Sequence, residues 1–322
     1  MKNNMFAVKW SKLKDRFGHR RMVAIAYLLI VGVTSLSIHA LFIGGLGHSA
    51  LLYMLVPYGV SLLLALMRSD AIVDTKGKQY FRHMATALLV FLATSIVLRE
   101  GFVCVIFFFP IYFIIVSLVY AISTGSGDKT KLRSVALPLV IVIMSFEGTS
   151  GFLSFERSSS VQVSRVTSLS IDEIKENLAK PFDLDKRRHW MLSIFPMPYH
   201  IEAGSLNAGD IHKIKTRYHR WFVTNTHEGE AELLIHHVGA DTIRTRMLSD
   251  TTYFSSYLKL YGTQIKFQSL ETGETEITLQ IDFERKLDPA WYFQPVQKFG
   301  VSKMANFLIN EIMIRDGSTK LL

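Results

Sequence analysis

The chain of 322 residues has one cysteine, Cys104, and it lies inside an apolar run. An internal disulfide and a structural zinc site built from cysteines are therefore excluded. Acidic residues are scarce in the first half: residues 1–152 carry six Asp and Glu against 15 Lys and Arg, whereas residues 153–322 carry 21 of each. The formal net charge of +9 thus belongs wholly to the first half. A nucleic-acid binder needs a basic face on a folded domain, and the neutral second half offers none, so nucleic acid is not an expected partner. Metal motifs built on histidine are lacking too. No H-E-x-x-H occurs, because His227-Glu228 has no second His at the required spacing. His236 and His237 are adjacent, and adjacent side chains of a strand face opposite ways. Neither a metal nor a cofactor is expected. Gly125 to Thr130 has the composition of a phosphate loop without its G-x-x-x-x-G-K-[ST] spacing, and reads as a flexible basic loop.

What the sequence has in abundance is long apolar runs before Phe152, which raise the hydrophobic fraction to 49% and the mean hydropathy to +0.24. A membrane-spanning helix takes about 20 mostly apolar residues. Five candidates fit, at about 22–45, 49–67, 82–98, 102–122 and 134–152, behind a basic N-terminal segment 1–21. Tyr80 and Phe81 extend the third into the headgroup region, Pro110 predicts a kink in the fourth, and Pro138, Glu147 and two glycines weaken the fifth. The apolar run behind the basic start is too long for the h-region of a cleaved signal peptide.

Orientation follows from the positive charges. Segments 1–21, 68–82 and 129–133 hold 14 of the 15 basic residues, and with five crossings all three fall on one side. The positive-inside rule makes that side the cytoplasm. The expectation is an integral protein of the inner or plasma membrane, its N-terminus cytoplasmic and its second half outside. Glu147 then stands near the outer end of the fifth run, where an interfacial carboxylate is ordinary.

After Phe155 the pattern changes. Val161–Val166 alternates as a strand does, and Ser170-Ile171-Asp172-Glu173 has the form of a capping box at a helix start. A second short helix is expected over about 185–195, before Pro196 and Pro198. Strand-type alternation dominates from Tyr199 to Leu287, with apolar Ile277, Leu279, Ile281 and Phe283 interleaved with Thr278, Gln280, Asp282 and Glu284. Glu271-Thr272-Gly273-Glu274 supplies a turn. Asp288 and Pro289 suit the start of a last helix, whose apolar face is read as Trp291, Val296, Phe299, Phe307, Leu308 and Ile312. The fold class expected is therefore an α-helical membrane domain of about five spans followed by an α+β domain over 158–315, a curved antiparallel sheet around a long C-terminal helix.

This order of elements resembles the START-like superfamily of polyketide cyclase/dehydrase and lipid-transport proteins (SRPBCC, the helix-grip fold). The resemblance is carried by Gly204-Ser205-Leu206-Asn207-Ala208-Gly209-Asp210 leading into a strand, and by Leu287-Asp288-Pro289-Ala290-Trp291-Tyr292-Phe293 entering the last helix, as in bacterial membrane-anchored members. It covers about 160–315 and leaves the membrane half uncovered. It implies an elongated apolar cavity between sheet and helix that holds a hydrophobic small molecule or lipid, and it carries no catalytic set.

Polar groups on the inward face of the sheet would orient such a ligand. Strict alternation puts Thr216, Tyr218, Arg220 and Phe222 on one face of their strand, His237 with Leu233 and Ile235, and Thr245 with Ile243 and Met247. Trp291 completes the set of expected cavity residues. A one-residue bulge would shift any of these registers. The function expected is a membrane-tethered module that binds or senses a hydrophobic ligand or lipid. The alternatives are a cyclase- or dehydratase-type enzyme using the same cavity, with His237 or Tyr218 as acid/base, and a membrane scaffold that recruits partners.

Overall fold

A computed structural model describes residues 19–67, 75–97, 102–124, 138–183, 198–221 and 224–315. The chain divides into two compact units, Met1–Leu153 and Ser154–Leu322.

The apolar runs of the first unit form helices α1 (His19–Ile43), α2 (Val56–Leu66, entered through a π-helical turn Leu51–Leu55), α3 (Lys76–Val97) and α4 (Phe102–Thr124), and the described residues 138–145 are helical (α5). Helix α1 stops because Gly45 takes a φ of 71°, which costs a residue without Cβ little. The Gly45 amide then reaches the Phe42 carbonyl and the Leu46 amide reaches Leu41, satisfying two carbonyls at the helix end. Tyrosine hydroxyls tie the helices together: Tyr27 donates to the Leu89 carbonyl at 2.7 Å and Tyr112 to that of Ala87 at 2.9 Å. Val90 and Val116 are fully buried between helices.

Among the described residues three stretches, Ala26–Ile43, Lys76–Val97 and Val105–Thr124, are long and apolar enough to cross a membrane. One of the five expected spans comes out shorter. Leu51–Leu66 is a 16-residue apolar helix, about 24 Å long against roughly 30 Å of hydrocarbon. In the expected span 134–152, residues 138–145 are helical and the chain turns from 146. Pro110 lies inside α4, as expected. Glu147 is buried in the turn after α5, where its carbonyl accepts the Ala50 amide at 2.9 Å. The expected loop at Gly125–Thr130 lies outside the described residues.

Among the described residues the second unit is one antiparallel sheet, one short helix and one long helix. Its elements are β1 (Ser158–Thr167), α6 (Ile171–Ala179), β2 (Phe182–Asp183), β3 (Pro198–Glu202), β4 (Ile211–Trp221), β5 (Thr224–Val238), β6 (Thr242–Asp250), a 3-10 turn (Tyr253–Ser256), β7 (Leu258–Ser269), β8 (Thr275–Arg285) and α7 (Ala290–Leu308), which runs on as a π-helical turn Ile309–Ile314. Strand order is β1-β8-β7-β6-β5-β4-β3-β2. The capping box forms: Glu173 N–H donates to Ser170 Oγ and Ser170 N–H to Glu173 Oε2. Gly273, at a φ of 82°, closes the β7–β8 turn. The expected helix over 185–195 lies outside the described residues.

Burial along β8 alternates without a break, and Ile277, Leu279, Ile281 and Phe283 form the centre of the core. Val301, Ala305 and Ile309 of the C-terminal helix pack on them, with Phe293 fully buried nearer the helix start. Burying a phenylalanine of this kind stabilises by about 1.5–3 kcal/mol. This is the sheet-around-a-helix layout expected from the sequence. The helix face differs from the one read from spacing. Trp291 and Phe299, expected inward, are 46% and 57% exposed, while Phe293, Val301 and Ala305 take the inward positions.

Asp288 does not cap α7. The N-cap is Pro289, with no side-chain cap bond. The Asp288 carboxylate is fully buried and accepts from two guanidiniums, Arg285, itself fully buried, and Arg157 just ahead of β1. Arg285 also donates to the carbonyls of Leu287 and Phe155. The cluster joins one end of the β1–β8 pair, where β1 starts and β8 finishes, to the start of the last helix, and each of its buried charges has an opposite neighbour, as burial demands.

Candidate functional site

Cross-strand pairing fixes which residues face α7. Tyr218 pairs with His227, Thr216 with Gly229 and Ile214 with Ala231 along β4 and β5. Thr216 and Tyr218 are buried on this inner face, and half-buried Ile214 beside them packs against Ile201 and Ile312. Thr216 Oγ1 donates to the Gly229 carbonyl at 3.1 Å. Thr245 and Thr263, paired on β6 and β7, join hydroxyls at 2.8 Å. Arg220 lies in β4 but its side chain is not among those described, and Phe222 lies outside the described residues. Trp291 is on the outer side of α7, edge-on to Tyr292 at 5.8 Å.

His237 is not on the inner face. Ile235 pairs with Thr245 but His237 with Arg244, so His236 is an extra residue in the strand. The bulge exchanges the two faces beyond it. Val238 and Ile243 point into the core, and His236 and His237 are both exposed. Two further bulges fall at Leu248 on β6 and at Tyr261 on β7.

These two bulges bracket the main feature of the sheet. Strands β5 and β6 remain paired out to Ala231–Asp250, and β7 and β8 out to Leu258–Arg285. The β6–β7 ladder, by contrast, stops at Arg246–Gly262 after five pairs. Beyond it the strands part, and the 3-10 turn Tyr253–Ser256 closes the far end of the gap. Gly262 marks the fork: a Cβ there would stand 2.1 Å from the Thr245 carbonyl oxygen, so only glycine lets the strands approach before they separate.

The split holds a cavity of about 400 Å³. Met247 and Leu260 are its half-buried apolar members, and Leu248 and Tyr261 form an exposed rim. Arg246, Lys259 and Lys286 bring three positive charges to it, and Asp250 one carboxylate. Lys286 Nζ donates to the Ser255 carbonyl at 2.5 Å, and Lys259 Nζ stands 5.2 Å from the Tyr261 ring centre. Tyr261 donates its hydroxyl to Glu284 at 2.6 Å, which raises the phenol pKa. Asp250 accepts the Thr252 amide through Oδ1 at 2.9 Å, while its Oδ2 is buried with no hydrogen-bond partner among the described residues.

A tyrosine cluster backs the turn that closes the split. Tyr253 stacks on Tyr218 with centroids 4.6 Å apart, accepts the Tyr257 hydroxyl at 2.8 Å and meets His227 edge-on at 6.0 Å. Gln297 of α7 donates to the Tyr257 carbonyl at 3.1 Å, tying the last helix to the same place. Near the start of that helix, burial pushes the Tyr292 phenol up to about 12. Among the described residues no group of three or more His, Cys, Asp and Glu could hold a metal ion. Sequence reasoning found Thr216, Tyr218 and Thr245 as inner-face positions, but not the split. Its signals in the sequence were Gly262 and the basic residues Arg244, Arg246, Lys259 and Lys266, with Asp250 alone among them.

No family model matches the chain, and no curated protein matches it. Solved structures do resemble it. Norcoclaurine synthase from Thalictrum flavum, in complex with dopamine and hydroxybenzaldehyde, is 11% identical with a TM-score of 0.32, over 51% of this chain and 91% of that one. The Zhui aromatase/cyclase from Streptomyces sp. R1128 is 13% identical with a TM-score of 0.26, over 48% and 96%. Major latex-like protein 151 of Panax ginseng is 13% identical with a TM-score of 0.27, over 47% and 97%. Likenesses of this size equate no residue of this chain with a residue of theirs, and the site stands on its own geometry.

Proposed function

We propose that this chain is a membrane-anchored module whose second unit, a START-like helix-grip domain, takes up a hydrophobic or amphiphilic small molecule. The observation that carries the proposal is the β6–β7 split. A cavity of about 400 Å³ falls within the usual 300–1,000 Å³ of a small-molecule site. It combines apolar members that alternate toward the core with charged groups at the mouth, which suits a ligand with an apolar tail and a polar end. The three long apolar helices of the first unit support anchoring in a membrane, the bulk source of such ligands.

The test is extraction of whatever co-purifies with the full chain held in a detergent of known composition. Met247→Trp fills the floor of the cavity. The wild-type chain should carry an amphiphile through purification and Met247→Trp should lose it, with the two melting at similar temperatures. If both carry the same complement of molecules, or neither carries any, the split is not a ligand site.

A further inference from the structure

We propose that the split recognises an amphiphile whose head carries both a phosphate-type anion and a hydrogen-bond donor, an N–H or O–H close to the anion. The inference rests on the ligand-binding reading above and specifies its polar end. On the outer face of β4 and β5 cations have carboxylate partners: Lys213 with Glu230 and Glu232, Lys215 with Glu202, and Arg217 with Glu228. Along β6 and β7 the pattern changes. Arg246, Lys259 and Lys286 bracket the cavity, and none forms an ion pair among the described residues. Glu284, the acidic neighbour on β8, accepts the Tyr261 hydroxyl. Three cations facing one cavity are stabilised by a multiply charged anion that accepts several charge-assisted hydrogen bonds, and the arginine adds a planar fork suited to a phosphate.

Asp250 sets the second requirement. Its Oδ2 is a buried acceptor with no partner among the described residues, in the same cavity as the cations. A buried acceptor left without a donor is costly, so the favoured head brings a donor to it. A phosphate joined to an ammonium or a hydroxyl meets both conditions. A phosphate joined to a quaternary ammonium meets only the first, because that group has no hydrogen to donate. Met247 and Leu260 beside the charges give the chain of the ligand its way inward.

The experiment uses the full chain in phosphatidylcholine nanodiscs. Cys104→Ser removes the only native thiol, and Leu260→Cys places one on the cavity wall; Leu248→Cys, on the exposed rim, serves should the first variant fail to fold. The readout is the labelling rate with a water-soluble maleimide. Dihexanoyl phosphatidylethanolamine and dihexanoyl phosphatidylglycerol should protect the thiol at concentrations about tenfold lower than dihexanoyl phosphatidylcholine, the ratio expected for one hydrogen bond to a charged group. Asp250→Asn should bring the three together, and Arg246→Gln should weaken all three. Nanodiscs doped with long-chain phosphatidylethanolamine distinguish a headgroup taken from the bilayer from a soluble amphiphile, and protection by either supports the proposal. Protection by an alkyl glucoside with no advantage for phosphate heads overturns this inference but leaves ligand binding standing. No protection by any amphiphile overturns both.

Discussion

Gly229 lies directly beneath Thr251: a Cβ at position 229 would stand 2.5 Å from the Thr251 carbonyl oxygen and 2.7 Å from the Thr252 Cα. The chain leaving β6 crosses β5 at this point and delivers Tyr253 onto Tyr218, so the turn that closes the split depends on a missing methyl group. Backbone is what the methyl would meet, and it cannot swing aside as a side chain does. Gly229→Ala should therefore destabilise the second unit by about 1–3 kcal/mol, the range for overpacking. Hydrogen exchange should localise the effect to 251–257. Unchanged exchange there would mean that the crossing is looser than the structure places it.

The Arg285–Asp288–Arg157 cluster predicts an asymmetry. Asp288→Ala leaves a fully buried guanidinium without its carboxylate and should cost about 3–5 kcal/mol. The double change Arg285→Met with Asp288→Leu removes the buried pair together and should cost clearly less, since Arg157 is partly exposed and can reach water. Thermal melts of the two variants check this. A double variant as unstable as Asp288→Ala would show that shape, not charge, holds this corner.

The capping box predicts a pH dependence. Bonds from the backbone and side chain of Ser170 lower the Glu173 pKa below its ordinary value. A carboxylate with a lowered folded pKa stabilises above its unfolded value, roughly pH 4.3, and loses that contribution as pH falls through the folded one. Wild type should thus melt above Glu173→Gln at pH 6, and the difference should shrink as pH falls below roughly 4. A constant difference across that range would place the contribution in shape and not in charge.

Much of the second unit was legible because alternation is a strong signal where one face is buried. Strand β8, the Gly273 turn and the Ser170–Glu173 box need only neighbouring residues to be read. What stayed hidden depends on single extra residues or on distant partners. His236 inserts one residue, and every side chain beyond it changes face, which is why His237 came out exposed. Asp288 sits before a proline at a helix start, the ordinary place for a cap, yet it is held by Arg285 three residues back and by Arg157, which is 131 residues away in sequence. Trp291 and Phe299 are apolar by type, and nothing in their spacing distinguishes an outer stripe from an inner one. In the first unit hydropathy located the helices, but not where helical backbone gives way to a turn at 146.

Topology gives a prediction of its own. The basic segments 1–21, 68–82 and 129–133 fall on one side when the helix at Leu51–Leu66 and the one that includes 138–145 both cross. We expect alkaline phosphatase fused after Leu322 to be active and a fluorescent protein that matures only in the cytoplasm to stay dark. The opposite pair of results would mean a second unit facing the cytoplasm, through either an even number of crossings or a reversed orientation.

The most direct test of amphiphile uptake through the split is photo-crosslinking of the full chain in nanodiscs, with a diazirine near the carboxyl end of a lipid's acyl chain. Peptide mapping by mass spectrometry then reports where the ligand rests in the second unit. The account predicts adducts on Met247 and Leu260, competed away by unlabelled lipid and lost in Met247→Trp. Adducts confined to the helices of residues 19–124, with none between 242 and 262, would contradict it.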